Sequence, residues 1–384
     1  MMKVEDYKGF EIGPIRPPSE ATSLMLRITR NCSWNKCTFC RLYKGQKFSI
    51  REVEHVFKDL DLLDKSVSTL QDANNFEPLQ KRKAIERLKA ELGSENQWAY
   101  YSAENWIKEG CRSVFLQDAN SMIIKPTNMI AILQRIRSLF PMVERITAYS
   151  RSHTLARISD DDLLLMAEAG LNRIHIGMET ACDEVLDLIK KGVDKKTHII
   201  AGQKVKKAGI ELSEYYMPGL GGQEYTVTNA TETADALNQI NPDFIRLRTL
   251  AIPNETALVE DYKNGTFTRT TDTMMVKELL IFIKSLKGIT STIKSDHVLN
   301  LIQEVEGTFP TDKQKIIDAL EWYMNLNRQE QVLFSIGRRT GIIHSIHEFS
   351  EPHKRARIEQ TMAQYFITES NVDKMADELM KRFI

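Results

Sequence analysis

The chain has 384 residues, with 52 Lys and Arg balanced by 52 Asp and Glu, and 42% of its residues are hydrophobic. That is the composition of a globular protein with a large core, and it excludes disorder as the dominant state. The zero formal charge supplies no general attraction to nucleic acid or to an anionic membrane. No apolar run approaches the roughly 20 residues that cross a bilayer, and no basic-then-apolar leader opens the sequence, so a cytoplasmic location and no membrane partner are expected.

A Pro-rich lead-in (1–23) precedes an apolar strand expected at Leu24–Thr29, and a cysteine-rich loop follows directly. Residues 51–110 carry about three helical patterns, including a charged one over Glu77–Leu92 and an aromatic one over Gln97–Glu109, read as an insertion over about 62–110. Further strands are expected at Ser113–Asp118, Arg145–Ser150, Arg173–Gly177, Glu211–Met217 and Phe244–Leu250. Amphipathic stretches of helical length separate them: Thr127–Phe140, Asp160–Ala169, Cys182–Lys191, Lys195–Ala208 and Val227–Ile240. Beyond Pro253 a mostly helical extension (253–384) is expected, with one strand at Gly288–Lys294 and helices from Asp312 onward.

Six strands alternating with helices imply a parallel sheet with right-handed crossovers. The expected class is therefore α/β: a partial (β/α)6 TIM-like barrel over 24–252, with a helical insertion after the first strand and a helical C-terminal extension. Within the strands, Ile174, Ile176 and Met178 alternate with Arg173, His175 and Glu179, and Ile245 and Leu247 alternate with Arg246 and Arg248. The apolar set should lie under helices and the charged set should face a polar lumen. A closed eight-stranded barrel fills its interior with branched apolar side chains, so charged positions there point to an open one.

Three of the five cysteines, Cys32, Cys37 and Cys40, form C-x4-C-x2-C on the loop after the first strand. Three thiolates at this spacing suit an iron–sulfur cluster or zinc, and the C-terminal end of a parallel strand is where ligands bind in such folds. A structural zinc site with a fourth ligand elsewhere fits the spacing, as does a plant-type [2Fe–2S] centre with a distant fourth cysteine. Cys111 precedes its strand and so lies at the opposite end of the sheet, about 20 Å away at ~3.3 Å per residue. Cys182 follows a strand and opens a helix, where a thiolate would be stabilised, so it stays open as a reactive residue.

The segment Arg30-Asn-Cys-Ser-Trp-Asn-Lys-Cys-Thr-Phe-Cys-Arg41 resembles the radical S-adenosylmethionine (radical SAM) superfamily. Its usual motif is C-x3-C-x-aromatic-C, matched here in Thr38-Phe39-Cys40, with one extra residue in the first gap. The stretch Arg173–Thr180 with Asp183–Lys191 is similar to the branch of oxygen-independent coproporphyrinogen oxidases, methylthiotransferases and the Elongator catalytic subunit. The resemblance implies that Cys32, Cys37 and Cys40 hold a [4Fe–4S] cluster whose fourth iron binds SAM. Phe39, Ser150 and Arg151 would then adjoin the cofactor, Asp118 would reach its amino group and Glu179 its ribose or amino group. Lys191 would face its carboxylate, and Gly219 and Gly221 in Tyr216-Met-Pro-Gly-Leu-Gly-Gly222 would lie beside the adenine.

The implied chemistry is reductive cleavage of SAM to methionine and a 5′-deoxyadenosyl radical that removes hydrogen from a substrate. It requires an electron donor such as flavodoxin or ferredoxin and an anaerobic setting. Arg246 and Arg248 suit a carboxylate or phosphate, so a small anionic substrate is expected, with Arg246, Arg248 and Cys182 as catalytic candidates. Arg151, His153, Asp296 and His297 also follow strands and can line the mouth. Only short basic runs occur, such as Lys81-Arg-Lys83, which argues against a nucleic-acid partner. An RNA-modifying radical SAM enzyme and a structural-zinc or interaction protein are the alternatives.

Overall fold

Leu24, Met25 and Leu26 are almost completely buried, and they begin the main sheet of the computed structural model, which describes residues 6–383. The first five residues of the expected lead-in and Ile384 lie outside the described residues. The chain divides into two compact units. The first comprises the described residues through Asn35, then Leu42–His175 and Lys204–Glu211; the second comprises Lys36–Arg41, Ile176–Gln203 and Leu212 onward.

The first unit opens with strands β1 (Leu24–Arg27), β2 (Thr29–Arg30) and β3 (Ser49–Ile50), followed by helices α1 (Val53–Ala73), α2 (Pro78–Leu92) and α3 (Gln97–Lys108). Then come β4 (Ser113–Gln117), α4 (Pro126–Leu139), β5 (Arg145–Ser150), α5 (Ser152–Leu155) and α6 (Asp160–Glu168). Strand β6 (Arg173–Glu179) starts in this unit and ends in the other. Parallel pairing joins β1 to β4, with Leu24 against Val114, and β4 to β5, with Val114 against Ile146. Trp106 of α3 is fully buried, meets Phe140 edge-on at 5.1 Å and donates its indole N–H to Ser113 O at 2.9 Å, closing helix onto strand.

The expected first strand is shorter than its apolar run. It leaves the main sheet after Ile28, whose N–H bonds to Gln117 O, and Thr29–Arg30 pairs antiparallel with Ser49–Ile50 instead. Glu11 of the lead-in takes the Arg30 guanidinium at 2.6 Å beside this second pairing. The same lead-in buries Glu20 against His175 at 3.3 Å and Arg145 at 3.3 Å.

The second unit holds the rest of β6, then α7 (Asp183–Leu188), α8 (Lys195–Lys207, whose last turn belongs to the first unit), β7 (Glu211–Tyr216), α9 (Thr226–Ile240) and β8 (Phe244–Leu247). It continues with α10 (Ala257–Lys263), α11 (Asp272–Ser285), β9 (Thr292–Lys294), β10 (Gly307–Thr308) and α12 (Lys313–Asn325). Last come α13 (Arg328–Arg339), α14 (Pro352–Gln364) and α15 (Val372–Met380). β8 runs parallel to both β7 and β9, and β10 is antiparallel to β9. The expected parallel strands are thus joined by a further parallel one and an antiparallel edge.

Strand β8 stops three residues short of the expected Leu250 because Thr249 bonds its N–H to the Asn300 side chain at 3.1 Å rather than to a strand. The expected strand over Gly288–Lys294 is confined to its last three residues, where Thr292 N bonds to Asp243 O. Alternation sorts the side chains as expected: Ile174, Ile176, Met178 and Ile245 are fully buried, while Arg173 and Arg246 point to polar partners, Glu211 and Ser213.

A buried ion pair joins α11 to α13. Arg339 grips Asp272 at 2.5 and 3.3 Å, with side-chain exposures of 3% and 6%. Burial would raise the Asp272 pKa, but Arg339 outweighs it and holds the carboxyl below its usual range. Asp272→Asn strands a buried guanidinium and is expected to cost ~3–5 kcal/mol, read as a lower urea midpoint at pH 7. In the wild type this contribution is present above the ordinary carboxyl pKa and is lost as pH falls through the depressed folded value.

Candidate functional site

The cysteine loop runs from the end of β2 and divides at Asn35: Asn31–Asn35 belong to the first unit and Lys36–Arg41 to the second. Its first half is built on the end of β4. Asp118, fully buried, accepts from Arg27 at 2.7 and 2.8 Å, from the backbone N–H of Asn31 at 3.1 Å and from the Tyr43 hydroxyl at 3.1 Å. Burial, then the Asp118 charge, push the Tyr43 phenol far above its ordinary pKa, so it stays a donor. Asn120, also fully buried, donates to Ser33 beside the first cysteine and to Thr154, each at 2.9 Å. Its carbonyl accepts from Arg151 N at 3.1 Å and from the Ser150 hydroxyl at 3.3 Å. The Arg151 guanidinium stands over the Trp34 ring at 4.9 Å.

The second half is pinned by backbone. Thr38 N bonds to Ile189 O at 2.9 Å, and Leu258 N bonds to Thr38 O at 3.0 Å. Phe39 packs on the cluster formed by Cys182, Val185, Ile189, Leu220 and Leu258, and Lys191 Nζ stands 5.7 Å from its ring centre. All three loop cysteines are half-buried, and none of the five forms a disulfide. Among the described residues no group of three or more His, Cys, Asp or Glu side chains is gathered around one point for a metal. The donor set nevertheless suits an iron–sulfur cluster: three soft thiols within nine residues, on a loop held at both halves.

Glu179 and Lys191 meet as a pair at 3.3 Å with side-chain exposures of 14% and 11%. Lys191 lies beyond α7, so it is not a solvated last-turn lysine. Fully buried Glu214 lies near this pair; burial first, then the Glu179 charge, raise its pKa well above the usual carboxylate range. An ion pair of this kind is complementary to the ammonium and carboxylate of an amino-acid zwitterion.

Gly219 has φ +83°, and an added Cβ would stand 2.7 Å from Thr270 Oγ1; one on Gly221 would stand 2.7 Å from Tyr225 Cβ. The turn is fixed by Glu278 of α11, which accepts from Gly219 N at 3.1 Å, Tyr216 OH at 2.7 Å and Asn229 at 2.7 Å. A cavity of about 430 Å³ adjoins it, lined by Leu188, Gly221, Gly222, Tyr225 and Phe267. Burial pushes the Glu278 carboxyl up to about 7. Because the folded pKa is raised, the folded state holds the extra proton, and stability falls as pH rises from the ordinary carboxyl pKa of 4.5 to about 7. Glu278→Gln is expected to flatten this slope in urea denaturation between pH 5 and 7.

Two expectations are corrected here. Cys182 is not a stabilised thiolate: it is fully buried, donates to Glu184 at 3.2 Å, and burial first, then Glu184, raise its pKa. Arg246 and Arg248 do not stand open to the lumen, because both bond to Asp296. Cys111, buried beside Trp106 at the start of β4, lies at the end of its strand remote from Asp118, as expected. Among the residues not anticipated, Asn120 ends the Gln-Asp-Ala-Asn segment that begins in β4, and Glu278 is, with Asp272, one of two acids on the buried face of α11. Nothing in the sequence signals Tyr43.

Residues 26–227, slightly more than half of the chain, match the family model of the radical SAM superfamily. The chain belongs to this superfamily. It is an enzyme of a family that uses a [4Fe–4S] cluster and SAM. Curated relatives match over short stretches. The tRNA uridine(34) acetyltransferase of Methanocaldococcus infernus is 26% identical over 28% of this chain, and that of Methanocaldococcus jannaschii is 26% identical over 27%. These matches span only 21% and 19% of the relatives' own lengths. Among solved structures, coproporphyrinogen III oxidase from Escherichia coli has a TM-score of 0.44 at 16% identity, covering 68% of this chain and 52% of that one. The archaeal Methanocaldococcus infernus Elp3 has a TM-score of 0.42 at 16% identity, covering 59% of each chain. The family assignment rests on the match over 26–227. No helix among the described residues is long and apolar enough to cross a membrane.

Proposed function

We propose that this radical SAM enzyme holds one [4Fe–4S] cluster on Cys32, Cys37 and Cys40 and acts on a small anionic substrate in the cytoplasm of an anaerobically living cell. When bound, the cluster and SAM supply an electron and a radical that abstracts hydrogen from the substrate. The observation that carries this reading is the three-cysteine loop following β1 within the family-matched segment.

The chain's own residues divide the work. Asp118 and Asn120 fix the first half of the loop, and the backbone at Thr38 fixes the second. Glu179 and Lys191, paired at 3.3 Å, would hold the charged methionyl end of SAM, Glu179 its ammonium and Lys191 its carboxylate. Phe39 and Gly221 would adjoin the rest of the cofactor. Asp118, already occupied by three residues, anchors the loop rather than contacting SAM. The barrel domain is read as 24–252 and the extension as 253–384. Electrons come from a flavodoxin- or ferredoxin-like donor.

Anaerobic reconstitution with iron and sulfide, followed by dithionite and SAM, is expected to yield 5′-deoxyadenosine by chromatography. A brown, iron-loaded protein that yields none contradicts this reading. The partial likeness to tRNA uridine(34) acetyltransferases favours RNA as a second substrate class; that reading requires tRNA binding that weakens steeply with salt.

A further inference from the structure

Arg246 in β8 and Arg248 just beyond it share one carboxylate. Arg248 reaches Asp296 Oδ1 at 2.7 Å, and Arg246 takes Oδ2. β8 and β9 are adjacent and parallel, with Arg246 registered against Lys294. The trio therefore leaves the sheet at its C-terminal edge, where parallel α/β folds bind ligands. Both guanidiniums have supports besides the acid. Arg246 Nε donates to Ser213 Oγ at 3.1 Å, while Arg248 donates to Leu247 O at 2.8 Å and lies over the Tyr215 ring at 4.8 Å.

The acid is the outermost member: side-chain exposure rises from 6% at Arg246 to 13% at Arg248 and 25% at Asp296. It lies on a stretch with no helix or strand between β9 and β10. His297 follows it, and its Nδ1 is buried with no hydrogen-bond partner among the described residues. Burial, then the Arg248 charge, lower its pKa to about 4, so the ring is neutral at pH 7 and its spare nitrogen is a neutral hydrogen-bonding site.

We propose that Arg246 and Arg248 form the substrate's anion subsite, that the anion is a singly charged carboxylate, and that Asp296 is a resident carboxylate displaced when substrate binds, with His297 bonding a polar group beside it. This rests on the small-anion reading above and sharpens it. The two guanidiniums already bind one oxygen each of a planar carboxylate, so their donors have its spacing. Two positive groups, one negative group and a neutral imidazole leave a single positive charge for the ligand to balance. A phosphoryl dianion would overshoot it, next to the displaced acid.

The test is a fluorine NMR titration of reconstituted protein with trifluoroacetate, without reductant or SAM. Saturable broadening is expected, reversed by acetate but not by an equal concentration of inorganic phosphate at about pH 8, where phosphate is mostly the dianion. Asp296→Asn removes the charge of the internal competitor and should tighten binding by about tenfold or more, whereas Arg248→Gln should abolish it. Circular dichroism melts check each fold; if Arg248→Gln is unfolded, the Asp296→Asn arm decides. Binding that Asp296→Asn leaves no tighter overturns the proposal, as does binding that survives in folded Arg248→Gln. Displacement by phosphate in preference to acetate overturns the assigned class. No SAM cleavage enters the readout. Trifluoroacetate binding in this pattern by a protein that makes no 5′-deoxyadenosine would refute the radical reading and keep the subsite, and the reverse result would do the opposite.

Discussion

Cys40→Ala protein, reconstituted under anaerobic conditions, is expected to carry no [4Fe–4S] chromophore and to release no 5′-deoxyadenosine. The proposed site has three protein thiolates and no spare: Cys111 is buried at the far end of β4, and Cys182 is sealed in an apolar cluster with its thiol raised in pKa. Losing one of three ligands leaves two irons without protein attachment, which a soft-ligand cluster does not tolerate. The neighbouring backbone stays clamped at Thr38, so the fold should survive and the loss should be specific. Cys111→Ala and Cys182→Ser are the controls. Each is expected to bind iron at the wild-type level, and the hydroxyl introduced by Cys182→Ser has the Glu184 acceptor that the thiol uses. Iron per protein and the visible absorption of the brown protein check all three.

The second large effect is expected at Asp118, although it is no cluster ligand. Asp118→Ala removes a fully buried carboxylate from Arg27, Asn31 N and Tyr43 together. Removing the carboxylate leaves Arg27 with only Glu11, at 3.5 Å, as an acidic partner and is expected to cost ~1–3 kcal/mol, and releasing Asn31 frees the backbone that aims Cys32. The variant should therefore bind less iron with every cysteine present. Tyr43→Phe removes one neutral donor and should cost about 1 kcal/mol, with a smaller iron deficit. A different role gives a different pattern: were Asp118 the ammonium ligand of SAM, Asp118→Asn would keep its iron and weaken only SAM binding. Iron content and SAM affinity measured on the same preparations separate the two.

The elements that position the site were legible because hydrophobic periodicity depends on burial, and burial here follows simple rules. Ile174, Ile176 and Met178 alternate and are fully buried, and the aromatic Gln97 segment folds as α3 against the sheet. Strand ends were less legible, because side chains from distant segments help set them, as where Asn300 takes the Thr249 N–H beyond β8. The cysteine loop was readable as a motif because its three thiols lie within nine residues of one another in the chain.

Its supports were not. Tyr43 and Asn120 act through buried polar bonds that leave no periodic trace, and Glu278 appears in sequence as one of two acids, with Asp272, on the buried face of α11. Arg246 and Arg248 were visible as a charged pair, but their pairing with Asp296 depends on β9 joining the sheet beside β8. The reach of two adjacent parallel strands is a tertiary fact, and spacing along one strand does not contain it.

Cys32, Cys37 and Cys40 are proposed to hold a [4Fe–4S] cluster with one iron open to SAM. Low-temperature electron paramagnetic resonance of the dithionite-reduced, reconstituted protein tests it most directly. The expected result is the signal of a reduced [4Fe–4S] cluster, changing shape when SAM is added and absent in Cys40→Ala. An iron-free, zinc-bound protein after anaerobic purification and reconstitution would contradict it, as would a cluster signal that SAM leaves unchanged.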